Sequence, residues 1–208
     1  MNDFALYPIT FSIIAITVIV SFFAFNNNDA KYKMLFYPNG MTSPNTYYRF
    51  VSHGFVHADY IHLFFNMYTL YSFGRVVESV LFNKPEYIVF YISALVASSI
   101  FDFFKQKDNS RYSALGASGA VSAVVFSTII FGPWDIGVLL FGILPLPNIV
   151  FAAAYLFYCY YMNKKGTDNI GHSAHMWGSI YGFVFTAMVR PELMKNFIIK
   201  LMHPSFQM

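Results

Sequence analysis

Ser118 stands in Gly116-Ala117-Ser118-Gly119, at the start of an apolar run that reaches Phe131. A serine hydroxyl attacks a carbonyl only when a base takes its proton. Gly116 and Gly119 present no side chain, so another backbone can come close on either side. Ser122, Ala123 and Phe126 continue the same region of the helix, mostly with small residues. Taken alone, the motif reads most simply as a packing face with a self-satisfied serine. His175 is the ionisable residue nearest to hand, functional by default within a span or else hydrogen-bonded for structure. Ala174, Gly178 and Gly182 recur every four residues and form a small-residue ladder, and His175 borders it. If that ladder packs on the small face around Ser118, the imidazole lands beside the hydroxyl. His62 and Asn66 are four residues apart and share a helix face. Both can donate hydrogen bonds to a developing negative charge, or equally clamp two helices together.

These residues need apolar helices to hold them, and the composition supplies little else. The chain has 208 residues, 57% hydrophobic, 21% aromatic and only 11% charged. Soluble domains carry about 25% charged residues. The expectation is an all-α, polytopic membrane protein, one domain over 1–208. Its spans run over 8–25, 60–81, 85–104, 114–131, 147–162 and 173–189, each near the ~20 residues a bilayer core requires. The first run lacks a basic leader and a cleavage signal and is read as a retained span. Residues 26–59 are too polar to cross and too aromatic for a free linker. They read as an interfacial loop. The stretch 132–147, broken by Pro133, Pro145 and Pro147, reads as an interfacial connector.

Parity then brings the chemistry together. Spans alternate in direction, so the second, fourth and sixth all begin on one membrane face. His62 and Asn66 open the second, Ser118 the fourth and His175 the sixth. All four therefore lie at shallow depth on one side.

The remaining polar residues carry less. His53, His57 and His172 precede spans and read as loop or cap residues. A metal site drawn from His57, His62, His172 and His175 has no acidic ligand at helical spacing and no HExxH pattern, so no metal and no cofactor is expected. The single Cys159 excludes a disulfide framework and a cysteine-based metal cluster, and reads as a small buried hydrophobe. Arg75 and Glu78 are spaced to pair. A net charge of +3 spread through loops suits lipid headgroups and not nucleic acid.

Together these motifs resemble the rhomboid family of intramembrane serine proteases, in its compact six-span form. The resemblance rests on Gly116-Ala117-Ser118-Gly119, on Ala174-His175 with Gly178 and Gly182, and on the stretch from Arg49 to Met67, in that order over nearly the whole chain. It implies a serine endopeptidase that cuts transmembrane segments of single-span membrane proteins. Ser118 would be the nucleophile and His175 the general base, with no third carboxylate. His62, Asn66 and the Ser118 backbone N–H would form the oxyanion hole. Gly116 would admit the substrate carbonyl. Substrate would enter laterally between the second and fifth spans, with moving parts near Pro145, Pro147, Gly166 and Gly171. One departure stands out: the family often has an aromatic residue at the position of Ser122, stacking on the base. Support for His175 must then come from Trp177 or another aromatic.

The resemblance also implies a bacterial cytoplasmic membrane, with the amino terminus inside and the active site near the outer face. Charge argues the other way. Lys31, Lys33, Arg49, Lys105, Lys107, Arg111, Lys164 and Lys165 fall on the active-site side, against Lys84, Arg190, Lys195 and Lys200 opposite. The positive-inside rule would turn the richer side inward. A catalytically inactive relative that binds membrane helices is the alternative. A small transporter would want polar residues at mid-membrane and an internal repeat, and the sequence has neither.

Overall fold

Apolar runs close their own backbone hydrogen bonds only as helices, and the expected spans are helices in the computed structural model. The structure describes residues 3–136, 138–140, 144–166, 168 and 170–204. In chain order the helices are α1 (Asp3–Leu6), α2 (Pro8–Phe25), α3 (Asn28–Met34), α4 (Arg49–Ser52), α5 (Tyr60–Val76), α6 (Lys84–Gln106), α7 (Ser118–Thr128), α8 (Asn148–Lys165), α9 (His172–Val189) and α10 (Pro191–Met202). α5 ends in a π turn over Val77–Leu81, and α7 in a 3-10 turn over Ile129–Phe131. The expected connector over 132–147 holds a short hairpin, β1 (Val138–Leu140) antiparallel to β2 (Leu144–Leu146), with Val138 opposite Leu146. Residues 137 and 141–143 of that connector lie outside the described residues, as do 167 and 169 of the loop before α9.

Local chemistry sets the helix ends. Asn83 and Glu86 form a reciprocal capping box at the start of α6. Asp59 caps α5 by accepting the His62 N–H at 2.7 Å. Glu78 does not pair with Arg75, as its spacing suggested. It accepts from the Ile9 and Thr10 N–H groups at 2.8 Å each, placing a carboxylate on the positive end of α2. Arg75 instead reaches Asp3 at 3.5 Å and lies over the Tyr71 ring.

The helix in the fourth expected span begins later than its hydropathy predicts. Residues 114–117 are not helical, because Ala114 pairs with Phe36 in an isolated β-bridge. Gly116 then adopts φ +113°, which a side chain would strain. The helix starts at Ser118 itself.

α7 lies at the centre, buried from Gly119 to Ser127. Its closest neighbour is α9. A Cβ at Gly178 would fall 2.1 Å from the Gly119 carbonyl oxygen, and one at Gly182 would fall 2.1 Å from that of Ala123. The two backbones therefore touch along two turns, as the ladder suggested. Outward-facing positions are apolar: Ile19 is 68% exposed, Phe64 61%, Phe157 69% and Met188 77%. Such a surface suits hydrocarbon and would aggregate in water. By length and composition, Pro8–Phe25 and Lys84–Gln106 are each long and apolar enough to cross a membrane.

Candidate active site

The turn into α7 is held from below by the segment that precedes α5. The Gly116 N–H donates to the His53 carbonyl at 2.9 Å. The Ala117 N–H donates to His57 Nε2 at 3.3 Å. Nε2 is thus the acceptor, so Nδ1 carries the proton and donates to Ser21 Oγ at 2.9 Å. Ser21 in turn donates to the Phe55 carbonyl at 3.0 Å. His57 is fully buried and acts as a strut between α2 and the backbone one residue before Ser118. Its position ahead of a span suggested a loop or cap. Nothing local marks it as a strut, since its partners lie 36 and 60 residues away.

This strut works only with a neutral ring. Burial pushes His57 down to about 3, helped by the neighbouring His62, and burial pushes His53 down to about 4. A folded-state value below the ordinary 6.5 favours folding above that pH. Below it the unfolded chain binds protons that the native chain refuses. Acidifying from about pH 6.5 towards 4 should therefore destabilise the protein by up to about 1.4 kcal/mol per pH unit for each ring. Thermal unfolding in detergent at several pH values measures this, and His57→Gln should flatten the slope.

Ser118 is the first residue of α7 and half-buried. The N–H groups of a first helical turn have no intrahelical partner, and the helix dipole puts partial positive charge there. The His62 ring presses on Gly116, where a Cβ would lie 2.6 Å from its Cε1. Asn66 is buried and donates one amide hydrogen to the His62 carbonyl at 2.9 Å, keeping a second for another acceptor.

His175 sits in the first turn of α9, whose residue Gly178 meets Gly119 backbone to backbone. Ser118 and His175 therefore flank the same contact. No hydrogen bond joins the Ser118 hydroxyl to the His175 ring among the described residues. In ligand-free sites such bonds are often long and tighten around bound substrate.

An aromatic ring does lie beside His175, and it comes from α8. The Tyr155 ring lies parallel to His175, 12° apart in plane with centroids at 6.5 Å. Its hydroxyl meets Ser122 Oγ at 3.2 Å. Ser122 is thus the anchor for a ring on the next helix. Trp177 packs instead on Phe101 at 5.2 Å. If His175 serves as a catalytic base, Tyr155→Ala should lower turnover more than tenfold, whereas Tyr155→Phe keeps the ring and should retain most of it. Initial rates on one purified substrate compare the two.

His172 also departs from its expected role as a cap. It is buried, its Nε2 pairs with Asp168 at 3.1 Å, and its ring stands 6.1 Å from that of His175. The Asp168/His172 spacing of four was the signal available in sequence. The four histidines considered for a metal do not converge. His57 and His62 pack together at 4.9 Å, and His172 and His175 form a separate pair with Cys159 beside them.

The sequence pattern of the Rhomboid domain matches residues 44–192. Presenilin-associated rhomboid-like protein, mitochondrial, from Homo sapiens is 26% identical over 157 residues, covering 72% of this chain and 40% of that protein. The Mus musculus protein matches to the same extent. The chain thus spans about 40% of the length of these relatives. Rhomboid proteins are membrane-integral. These relatives are mitochondrial by name, so the expected bacterial cytoplasmic membrane finds no support in them. With a family match that runs from before α4 into α10 and takes in Ser118 and His175, the chain belongs to the rhomboid family.

Proposed function

We propose that this chain is an intramembrane serine endopeptidase acting on transmembrane segments of other membrane proteins. The observation that carries the reading is the backbone contact of Gly119 with Gly178, which brings the hydroxyl of Ser118 and the ring of His175 to one end of one helix pair. In this reading α2, α5, α6, α7, α8 and α9 cross the bilayer within a single domain. His175 takes the proton of Ser118 as Oγ attacks the scissile carbonyl. The oxyanion that forms accepts hydrogen bonds from the Ser118 N–H, His62 and Asn66. His175 then returns its proton to the departing amine, and water repeats the cycle on the acyl-enzyme.

Depth favours this chemistry. From 118 to 131 the central helix is only 14 residues long. At 1.5 Å per residue it spans about 21 Å. The hydrocarbon core is about 30 Å thick. Such a helix leaves about 9 Å of the core uncrossed, and in this reading that gap lies above Ser118, where water would reach it. A substrate helix must unwind to offer its carbonyl, so helix-breaking residues near the cut should favour cleavage.

The open contact between Ser118 and His175 is the observation that favours a second reading, an inactive family member that binds membrane helices. A fluorophosphonate probe separates the two. Labelling of wild type but not of Ser118→Ala supports the protease, and failure to label wild type refutes it.

A further inference from the structure

Cys159 on α8 and His172 and His175 on α9 each offer a ligand atom, and these atoms lie within 4.8 Å of one another. We propose that they form a Zn²⁺ site, and that a bound ion withdraws His175 from Ser118. The inhibitory consequence rests on the protease reading; the site itself does not.

Three features argue for a metal. Cys159 is fully buried and in no disulfide. A thiol and two imidazoles at this separation are a donor set that zinc favours. Zn–S at about 2.3 Å and Zn–N at about 2.0–2.1 Å need ligand atoms roughly 3.5 Å apart, so the three must close by about an ångström. The second feature is His172, which is 3% exposed while its Nδ1 is buried with no hydrogen-bond partner. Its other nitrogen bonds both oxygens of Asp168, at 3.1 and 3.2 Å. A carboxylate on one ring nitrogen and a bare lone pair on the other is how metal-ligating histidines are held. The third is charge. On binding, the thiol gives up its proton to water, and the thiolate with Asp168 offsets the two positive charges of the ion. A fourth position stays open to water, as in zinc sites with three protein ligands. With its lone pair on zinc, His175 cannot accept the serine proton.

The purified full chain in detergent, stripped with chelator, is titrated with Zn²⁺ alone against a chromophoric competitor. One ion per chain is expected. Asp168→Asn should weaken binding about tenfold or more. This variant keeps the size of a half-exposed side chain and an oxygen to accept the Ile170 N–H, and should leave folding intact. Cys159→Ala should weaken it further and abolish the sulfur-to-metal absorption band of the Co²⁺ form. No bound ion, or an affinity unchanged in both variants, overturns the site. In a second arm, Zn²⁺ should slow fluorophosphonate labelling of Ser118 at least tenfold in wild type and not in Cys159→Ala. Binding without slower labelling overturns the inhibition. If metal-free wild type does not label at all, the protease reading falls, and the titration still decides the site.

Discussion

Ser118→Ala should abolish cleavage of a single-span substrate while the thermal unfolding midpoint stays within error of wild type. Ser118 Oγ holds no structural hydrogen bond among the described residues, and alanine is a good helix residue at the start of α7. Losing the nucleophile of a serine hydrolase costs on the order of 10⁶-fold in kcat, which a membrane assay reads as no product. If the proposed dyad acts as one unit, His175→Ala should fall as far, and the double variant no further. Asn66→Ala should be milder, on the order of 10²-fold, since other donors to the oxyanion remain. Turnover by pure Ser118→Ala protein would remove Ser118 from the chemistry.

Gly178→Ala should lose nearly all activity through geometry alone. The new methyl would lie 2.1 Å from the Gly119 oxygen and 3.2 Å from its Cα, with backbone on both sides and nothing able to rotate away. α7 and α9 must separate by more than an ångström. Overpacking of this kind typically costs about 1–3 kcal/mol of stability. The effect on rate should be larger, because a displacement of about 1 Å between reacting groups is worth about 10²-fold. Gly182→Ala meets the Ala123 backbone at the same distance and should behave alike. Gly171→Ala is the control: a methyl there finds nothing closer than 3.8 Å. Rates and unfolding midpoints of the three variants test this. Wild-type turnover by Gly178→Ala would show that the helix contact does not position the pair.

Much of this architecture is legible in the chain. Pro8–Phe25 begins and ends where hydropathy and Asn26 place it, because a span needs only unbroken apolarity and a polar stop. The small-residue ladder anticipates the contact of α7 with α9. Less legible is the start of α7. Residues 114–117 are as apolar as the helix after them, and only the bridge to Phe36 keeps them out of it. Spacing pairs Glu78 with its neighbour Arg75, yet its partners lie 68 and 69 residues away.

Periodic and local features are therefore the ones that residues alone specify. They are the helices, their order, the placing of Ser118, His62 and His175 in the first turns of α7, α5 and α9, and the small faces that let two helices touch. Packing in three dimensions selects which side chains from distant helices meet. Tyr155 stacks on His175, and Ser122 holds it there. His57 braces the turn before Ser118, and Cys159 stands beside His172 and His175. The physical reason is that hydropathy and helical period fix depth and facing along one element. Contacts between elements depend on rotation and approach of whole helices, which no short stretch of residues encodes.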